Sequence, residues 1–394
     1  MRTWSDSPFA TVTEVSSVTA AGERLGEGFQ SRSVERLTSH PGWVAKYYRD
    51  PLASPDVAAL DRLMELPDAM SAGELETLDR STAWPVSRLT DGDRTVGVIM
   101  AEAPSGFYVP FNLRGGRSSE PRELQLDHLI NDSDYLTRLG VRPPSRQRRH
   151  EITCGFLEVG VVLERYDVVY GDWSYRNALW DHGSGAVFLL DMDSCGIGTR
   201  PWIASPNWTD PAFPEGSELT AATDRYRMAL LCLRCLTGTR GEPLDSFDVL
   251  VRDWPSGDGL THLLHRALTT TDLTQRPRAA ELLDVLRHPG PARPAAHVNP
   301  GSNVTSFRPV GRARQRPAAR VAHVPPPASP HPPTPGPAQA PTPASTPGPA
   351  SFQRPRPATT AQKKRLGGKP LPWALVLPLL LIAAAVIGFL TLPT

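Results

Sequence analysis

Val168-Val169-Tyr170-Gly171-Asp172-Trp173-Ser174-Tyr175-Arg176-Asn177-Ala178-Leu179 is followed, after a polar turn, by Val187-Phe188-Leu189-Leu190-Asp191-Met192-Asp193. An apolar run, a D-x-x-x-x-N loop, a second apolar run and a strand ending in Asp fit a loop that carries a general base, followed by a metal-binding carboxylate. A base must sit where it can meet a proton, and a hard divalent cation takes oxygen donors. Either aspartate alone is an ordinary turn residue after a strand. Their joint spacing carries the reading.

The stretch resembles the catalytic loop of the protein-kinase-like superfamily, H-R-D-L-x-x-x-N followed by D-F-G. The resemblance implies phosphoryl transfer from ATP, with Asp172 accepting the substrate hydroxyl proton and Asn177 and Asp191 holding two Mg²⁺ (or Mn²⁺) ions. Tyr170-Gly171 stand in place of His-Arg, and Met192-Asp193 in place of Phe-Gly. A Gly-Asp pair is familiar in atypical and small-molecule kinases. Without the Arg, no cation is expected beside Asp172 to pair with an activation-loop phosphate, so no phosphate-dependent switch is expected through that position. Leu189-Leu190-Asp191-Met192-Asp193-Ser194 also looks like the L-I-D-x-D-S of a divergent group of bacterial kinases, which favours Asp191 over Asp193 as metal ligand.

Upstream, Leu25-Gly26-Glu27-Gly28-Phe29-Gln30-Ser31-Arg32-Ser33-Val34 resembles a kinase glycine-rich loop with Ser31 at its third glycine. Gly26 and Gly28 would let the backbone approach the nucleotide phosphates, with Val34 beside them. Trp43-Val44-Ala45-Lys46-Tyr47-Tyr48 reads as a strand presenting a lysine where the V-A-I-K lysine belongs, and the resemblance gives Lys46 the α- and β-phosphates. Helical spacing over Pro55–Leu66 predicts the helix that would carry that lysine's acidic partner, with Glu65 preferred over Asp61. Trp84–Val86 and Thr95–Met100 read as strands, the latter running into Ala101–Pro104, the expected connection whose backbone would hold the adenine.

From Pro121 to Arg165 the pattern is helical, broken by the basic Arg146–Arg149, which reads as a solvated helix start. After Asp191, residues 196–211 would form the activation segment, with Thr199, Ser205 and Thr209. Trp208–Pro211 fall where A-P-E belongs, but Ala212 replaces the glutamate, so Arg276, which resembles that glutamate's usual partner, is offered Asp210 instead. Asp224, opening an apolar helix over Met228–Leu236 that Gly238 ends, matches the buried aspartate that braces the catalytic loop in kinases. A last helix is expected over Ala279–Leu286.

The 394 residues, 40% hydrophobic and 21% charged, suffice for a sizeable core. A net charge of +1 conceals a split: from Pro291 onward there are 12 Lys or Arg and no Asp or Glu. An acidic body with a basic tail predicts that the tail meets an anionic surface. The four cysteines suggest no disulfide framework, and Cys232 and Cys235, the only close pair, read as core residues. Residues 291–370, rich in Pro, Ala, Ser, Thr and Arg, are expected to be a disordered tether, because such a composition buries too little apolar surface to offset ordering entropy. Leu371–Leu392 is uncharged and long enough for a transmembrane helix. Lys363, Lys364, Arg365 and Lys369 precede it, so the positive-inside rule places the folded body in the cytoplasm. No secretory signal is read at Met1–Ala10. With only Pro393 and Thr394 after it, the span reads as an anchor in the cell membrane.

The expected fold class is α+β, a two-lobed protein-kinase-like domain over residues 1–290, with an N-lobe of about 20–103 and a C-lobe of about 104–290. ATP and Mg²⁺ (or Mn²⁺) are the expected cofactors and protein Ser or Thr hydroxyls the expected acceptors. A counteracting phosphatase is a further expected partner, and nucleic acid is not. Two alternatives stand beside this: a nucleotide-binding pseudokinase that recruits partners to the membrane, favoured by the altered motifs, and a small-molecule kinase, to which Gly171-Asp172 also points.

Overall fold

The computed structural model describes residues 4–18, 20–26, 31–113, 116–131, 133–174, 176–203, 207–254 and 258–289, all within the first of two units, Met1–Thr305. Gly28, Ser205, the Pro-rich stretch 291–370 and the apolar stretch 371–392 lie outside the described residues. Among the described residues no helix is long and apolar enough to cross a membrane.

The architecture is mixed α+β, with a mixed sheet and eight α-helices among the described residues. Up to Ala101 strands dominate: β1 (Val12–Glu14), β2 (Ala20–Gly26), β3 (Ser31–Leu37), β4 (Trp43–Tyr48), β5 (Pro85–Asp91) and β6 (Arg94–Ala101). They form one sheet in the order β1-β5-β6-β4-β3-β2. β1 pairs parallel with β5 and the other neighbours are antiparallel. Strand β4 decides what each face does, because successive side chains alternate. Trp43 and Ala45 pack with Leu37, Leu89 and Ile99 on one face. Val44 and Tyr48 pack with Leu60, Met64, Met100 and Leu179 on the other. Lys46 shares the parity of Val44 and Tyr48, and so is carried toward the rest of the chain.

Two helices interrupt the strands, α1 (Ser54–Glu65) and α2 (Ala72–Ser81). Pro55 in the first turn suits α1, and Leu60, Leu63 and Met64 form its buried stripe. Ser71 caps α2 reciprocally with Glu74, whose carboxylate accepts from the Ser71 N–H at 2.8 Å and its hydroxyl at 2.6 Å.

Beyond Ala101 come the short strands β7 (Tyr108–Val109) and β8 (Arg122–Glu123), then α3 (Ser133–Arg138) and α4 (Arg146–Arg165), and after them β9 (Val168–Val169), β10 (Ala178–Trp180), β11 (Val187–Leu189), β12 (Gly196–Ile197), β13 (Thr199–Arg200) and β14 (Leu219–Thr220). These pair in twos: β7 with β8, β9 with β12, β10 with β11, β13 with β14. The chain closes with α5 (Ala221–Thr237), α6 (Ser246–Asp253), α7 (Asp258–Thr269) and α8 (Ala279–Arg287).

Helix α4 is the central pillar, burying Ile152, Phe156, Leu157, Val159 and Leu163 against α5 and α8. Gly160 permits this approach, since a Cβ there would lie 3.2 Å from the Ala279 methyl and closer still to the Met228 sulfur. Ser145 caps α4, accepting from the Arg148 N–H at 3.1 Å. The basic run is thus a helix start as expected, yet not wholly solvated, because Arg149 turns inward and donates to the Cys235 carbonyl at 2.8 Å.

Candidate functional site

The strand lysine and the acidic turn meet. Lys46 Nζ donates to Asp191 Oδ1 at 2.9 Å and to Asp193 Oδ1 at 2.7 Å. Tyr48, two residues along the same face of β4, donates its hydroxyl to Asp193 Oδ2 at 3.0 Å. The turn is built by Asp191 itself, whose φ of 56° places it in the left-handed region that Asp tolerates better than most residues. The chain then passes through a 3₁₀ turn, Met192–Ser194, burying Met192 in the core and swinging Asp193 back toward Lys46. Burial alone would lower the Lys46 pKa, but the Asp193 and Asp191 carboxylates together outweigh it and hold the ammonium above its usual value. The Lys46 charge in turn holds the Asp191 carboxyl below the usual range.

Glu65 is not the partner of Lys46. It is exposed at the end of α1, and Asp61, the other candidate, bonds Arg88 Nε at 2.5 Å. The helix turns Leu60, Leu63 and Met64 inward, which leaves its acids on the flank. Gly26 ends β2 opposite Val34 of β3, and Val34 stands opposite Lys46 of β4. Val34 and Leu25 pack onto the apolar cluster that includes Val44, Met100, Ala103 and Leu179.

The base loop is braced from behind. Asp224, buried at the start of α5, accepts the Tyr170 N–H at 2.7 Å and the Gly171 N–H at 2.8 Å. Burial pushes its carboxyl up to about 6, with these N–H donors pulling the other way. Tyr170 joins the loop to the acidic turn, its hydroxyl donating to the Leu190 carbonyl at 2.7 Å. Asn177 Nδ2 donates to Asp172 Oδ2 at 2.6 Å, and the Asn177 carbonyl accepts the Leu190 N–H at 2.8 Å. Asp172, Asn177 and Asp191 are therefore linked through one short hydrogen-bonded path. Asp191, a half-exposed carboxylate, and Asn177, a carboxamide, carry oxygen donors of the kind Mg²⁺ takes beside waters and phosphate oxygens. Among the described residues no group of three or more His, Cys, Asp or Glu has the geometry to hold a metal ion.

The expectation that no cation stands beside Asp172 is overturned. Arg200 Nη1 donates to the Tyr170 carbonyl and Arg227 Nη1 to the Gly171 carbonyl, and both arginines are buried. Arg227 lies close enough to Asp172 for the carboxylate to favour its charge, although burial lowers its pKa more. Neither arginine was visible from sequence, because one comes from the segment after the acidic turn and the other from α5. Arg276 does find Asp210, with Nη2 to Oδ1 at 2.8 Å. Cys154, Cys195, Cys232 and Cys235 are free and buried, and burial pushes each thiol above its usual pKa, Cys154 to about 11 and Cys235 to about 12. They are packing residues, as expected.

No family model matches the chain, and no curated protein matches it.

Proposed function

We propose that this chain is an ATP-dependent Ser/Thr protein kinase with a two-lobed kinase-like fold, its lobes spanning about 20–103 and 104–290. Residues 291–370 would serve as a tether and 371–392 as a single membrane anchor, with the body cytoplasmic. The observation that carries the reading is the meeting of Lys46 with Asp191, residues 145 apart in sequence. It unites the strand lysine with the metal-ligand aspartate beside a hydrogen-bonded Asp172–Asn177 pair. The purine would, in this reading, pack against the apolar cluster of Leu25, Val34, Val44, Met100, Ala103 and Leu179.

In this reading Lys46 binds the phosphates, and Asn177 and Asp191 would hold Mg²⁺, which when bound would neutralise charge on the transferred group. Asp172 takes the proton of the acceptor hydroxyl as its oxygen bonds to the γ-phosphorus and the bridging bond to ADP breaks. Asn177 orients Asp172, and Asp224 fixes the backbone before it. The catalytic work is positioning and electrostatics.

A second reading, a nucleotide-binding scaffold at the membrane, is favoured by the altered motif positions, Ser31 at the third glycine and Met192-Asp193 in place of Phe-Gly. Transfer of labelled γ-phosphate to a panel of proteins, with Mg²⁺ or Mn²⁺ and the full chain in detergent, separates the two. Transfer lost in Lys46→Ala and Asp172→Ala supports the kinase. ATP binding without transfer supports the scaffold.

A further inference from the structure

The two carboxylates on Lys46 are not equivalent. The Asp193 side chain is 3% exposed and the Asp191 side chain 50% exposed. Both oxygens of Asp193 are committed, Oδ1 to Lys46 at 2.7 Å and Oδ2 to the Tyr48 hydroxyl at 3.0 Å. Withdrawing Asp193 would leave a buried ammonium and a buried hydroxyl short of an acceptor, which is costly in a dry pocket. Asp191 opens toward solvent and engages Lys46 through one oxygen, so it is the carboxylate that can be spared for a cation. Neither acid expected of α1 serves the lysine: Asp61 bonds Arg88 and Glu65 is exposed. A cavity of about 860 Å³ is lined on one side by Asp56, Ala59 and Arg62 of α1 and on the other by the segment from Asp193 to Ile203.

We infer that Asp193, held by Tyr48, is the permanent positioning partner of Lys46, leaving Asp191 to the metal, so that the lysine is set by the Asp191–Ser194 turn and not by helix α1. This rests on the phosphotransferase reading for its function, but not for its geometry. The pairs act as a division of labour: the inner carboxylate fixes where the ammonium points, and the outer one changes partners when nucleotide and metal arrive. The lysine, Tyr48 and Asp193 form a closed hydrogen-bonded set, and α1 reaches it only through the packing of Leu60 and Met64 in the cluster that holds Tyr48.

The test uses the full chain in detergent and two readouts. One is transfer from Mg·ATP, split into kcat and KM. The other needs no nucleotide: acylation of Lys46 by an amine-reactive ester, mapped by mass spectrometry at a fixed pH. In Asp193→Asn the ammonium loses its anchor, and acylation is expected to rise about tenfold while KM for ATP rises and kcat falls. Tyr48→Phe, which keeps the charge pair, moves both readouts in the same direction by less. Asp191→Asn loses transfer yet leaves acylation within a few-fold of the parent, and Glu65→Gln changes neither. Unchanged acylation in both Asp193→Asn and Tyr48→Phe, or a Glu65→Gln variant that behaves like Asp193→Asn, would overturn the assignment. If the parent transfers no phosphate while the acylation pattern holds, Asp193 still positions Lys46 and it is the kinase reading that falls.

Discussion

Arg276 and Asp210, 66 residues apart, form a fully buried bidentate ion pair, with Nη2 to Oδ1 at 2.8 Å and Nη1 to the other oxygen. The side chains are 1% and 0% exposed. Arg276 also donates to the Ala222 carbonyl at 2.8 Å and lies over the Tyr226 ring at 5.3 Å. The pair fastens the segment that follows the acidic turn to the start of α5. Breaking a buried pair from one side strands the other charge, so Asp210→Asn is expected to cost about 3–5 kcal/mol in unfolding free energy. Arg276→Lys keeps the charge but loses the fork, and should cost less than Asp210→Asn. Denaturant unfolding decides it; a loss under about 1 kcal/mol, the worth of a surface pair, would show that the segment is held elsewhere.

Gly171 precedes the proposed base with a φ of 71°, and a Cβ there would collide with the Arg200 side chain that bonds the Tyr170 carbonyl. Gly216 has a φ of 85° but nothing within 4 Å of its missing Cβ. Gly216→Ala should therefore cost only the left-handed backbone penalty of about 1–2 kcal/mol and leave transfer intact. Gly171→Ala adds the displacement of Arg200 and is expected to lower kcat by about tenfold or more, since a base shifted by a fraction of an ångström loses its alignment. Equal effects of the two substitutions on kcat would refute this.

The Asp224 carboxyl, raised by burial from 3.8 to about 6, makes stability and activity respond oppositely to pH. Below about pH 4 the group is neutral in both folded and unfolded chains; between about 4 and 6 only the folded chain keeps the proton. Its contribution is thus full below the unfolded pKa and is lost as pH rises through about 6, a change on the order of 3 kcal/mol. The stability of the parent minus that of Asp224→Asn, whose side chain does not titrate, should fall by about that much from pH 4 to 7. Activity runs the other way, because the neutral carboxyl is a weaker acceptor for the Tyr170 and Gly171 N–H groups. A stability difference that is flat with pH would contradict the assignment.

The residues picked out in the sequence were those at which the chain resembles the kinase motifs, and the structure brings Lys46 to Asp191, Asn177 to Asp172 and Asp224 to the loop before Asp172. Asp172, Asn177 and Asp191 sit on one continuous loop–strand–turn, Lys46 on a strand whose parity can be counted, and Asp224 at a helix start. Asp193, Tyr48, Arg200 and Arg227 were hidden because their roles depend on long-range closure. Asp193 reaches Lys46 only because Asp191 adopts a positive φ, which no periodicity announces. Glu65 was misplaced for a plainer reason: helical spacing put an acid on α1, but the inward stripe of Leu60, Leu63 and Met64 fixes the rotation that leaves it outside. The mixed α+β class was readable from the strand-like stretches up to Met100, the helical spacing over Pro55–Leu66 and the helical pattern from Pro121 onward; the parallel pairing of β1 with β5 was not, since Val12–Glu14 is three residues long.

The two arginines at the base loop restore the question of a phosphate switch, and the structure favours a segment already held without one. Arg200 and Arg227 are committed to the Tyr170 and Gly171 carbonyls. Arg227 lies over the Trp202 ring at 5.8 Å and Arg234 over the Trp208 ring at 4.5 Å. Each desolvated cation–π contact is worth up to about 2 kcal/mol. Together with the Arg276–Asp210 pair they anchor the segment at three places along its length. A phosphate arriving on exposed Thr199 or Thr209 would have to draw a buried guanidinium away from a backbone carbonyl, and would gain little order in return. Protein treated with phosphatase before assay should therefore transfer phosphate at a rate within about two-fold of untreated protein, whereas Arg227→Met, which strands the Gly171 carbonyl at a cost of about 1–3 kcal/mol, should lower both stability and kcat. A loss of more than tenfold on phosphatase treatment, recovered on rephosphorylation, would mean that the segment is switched and that its buried arginines are the receptor of the switch.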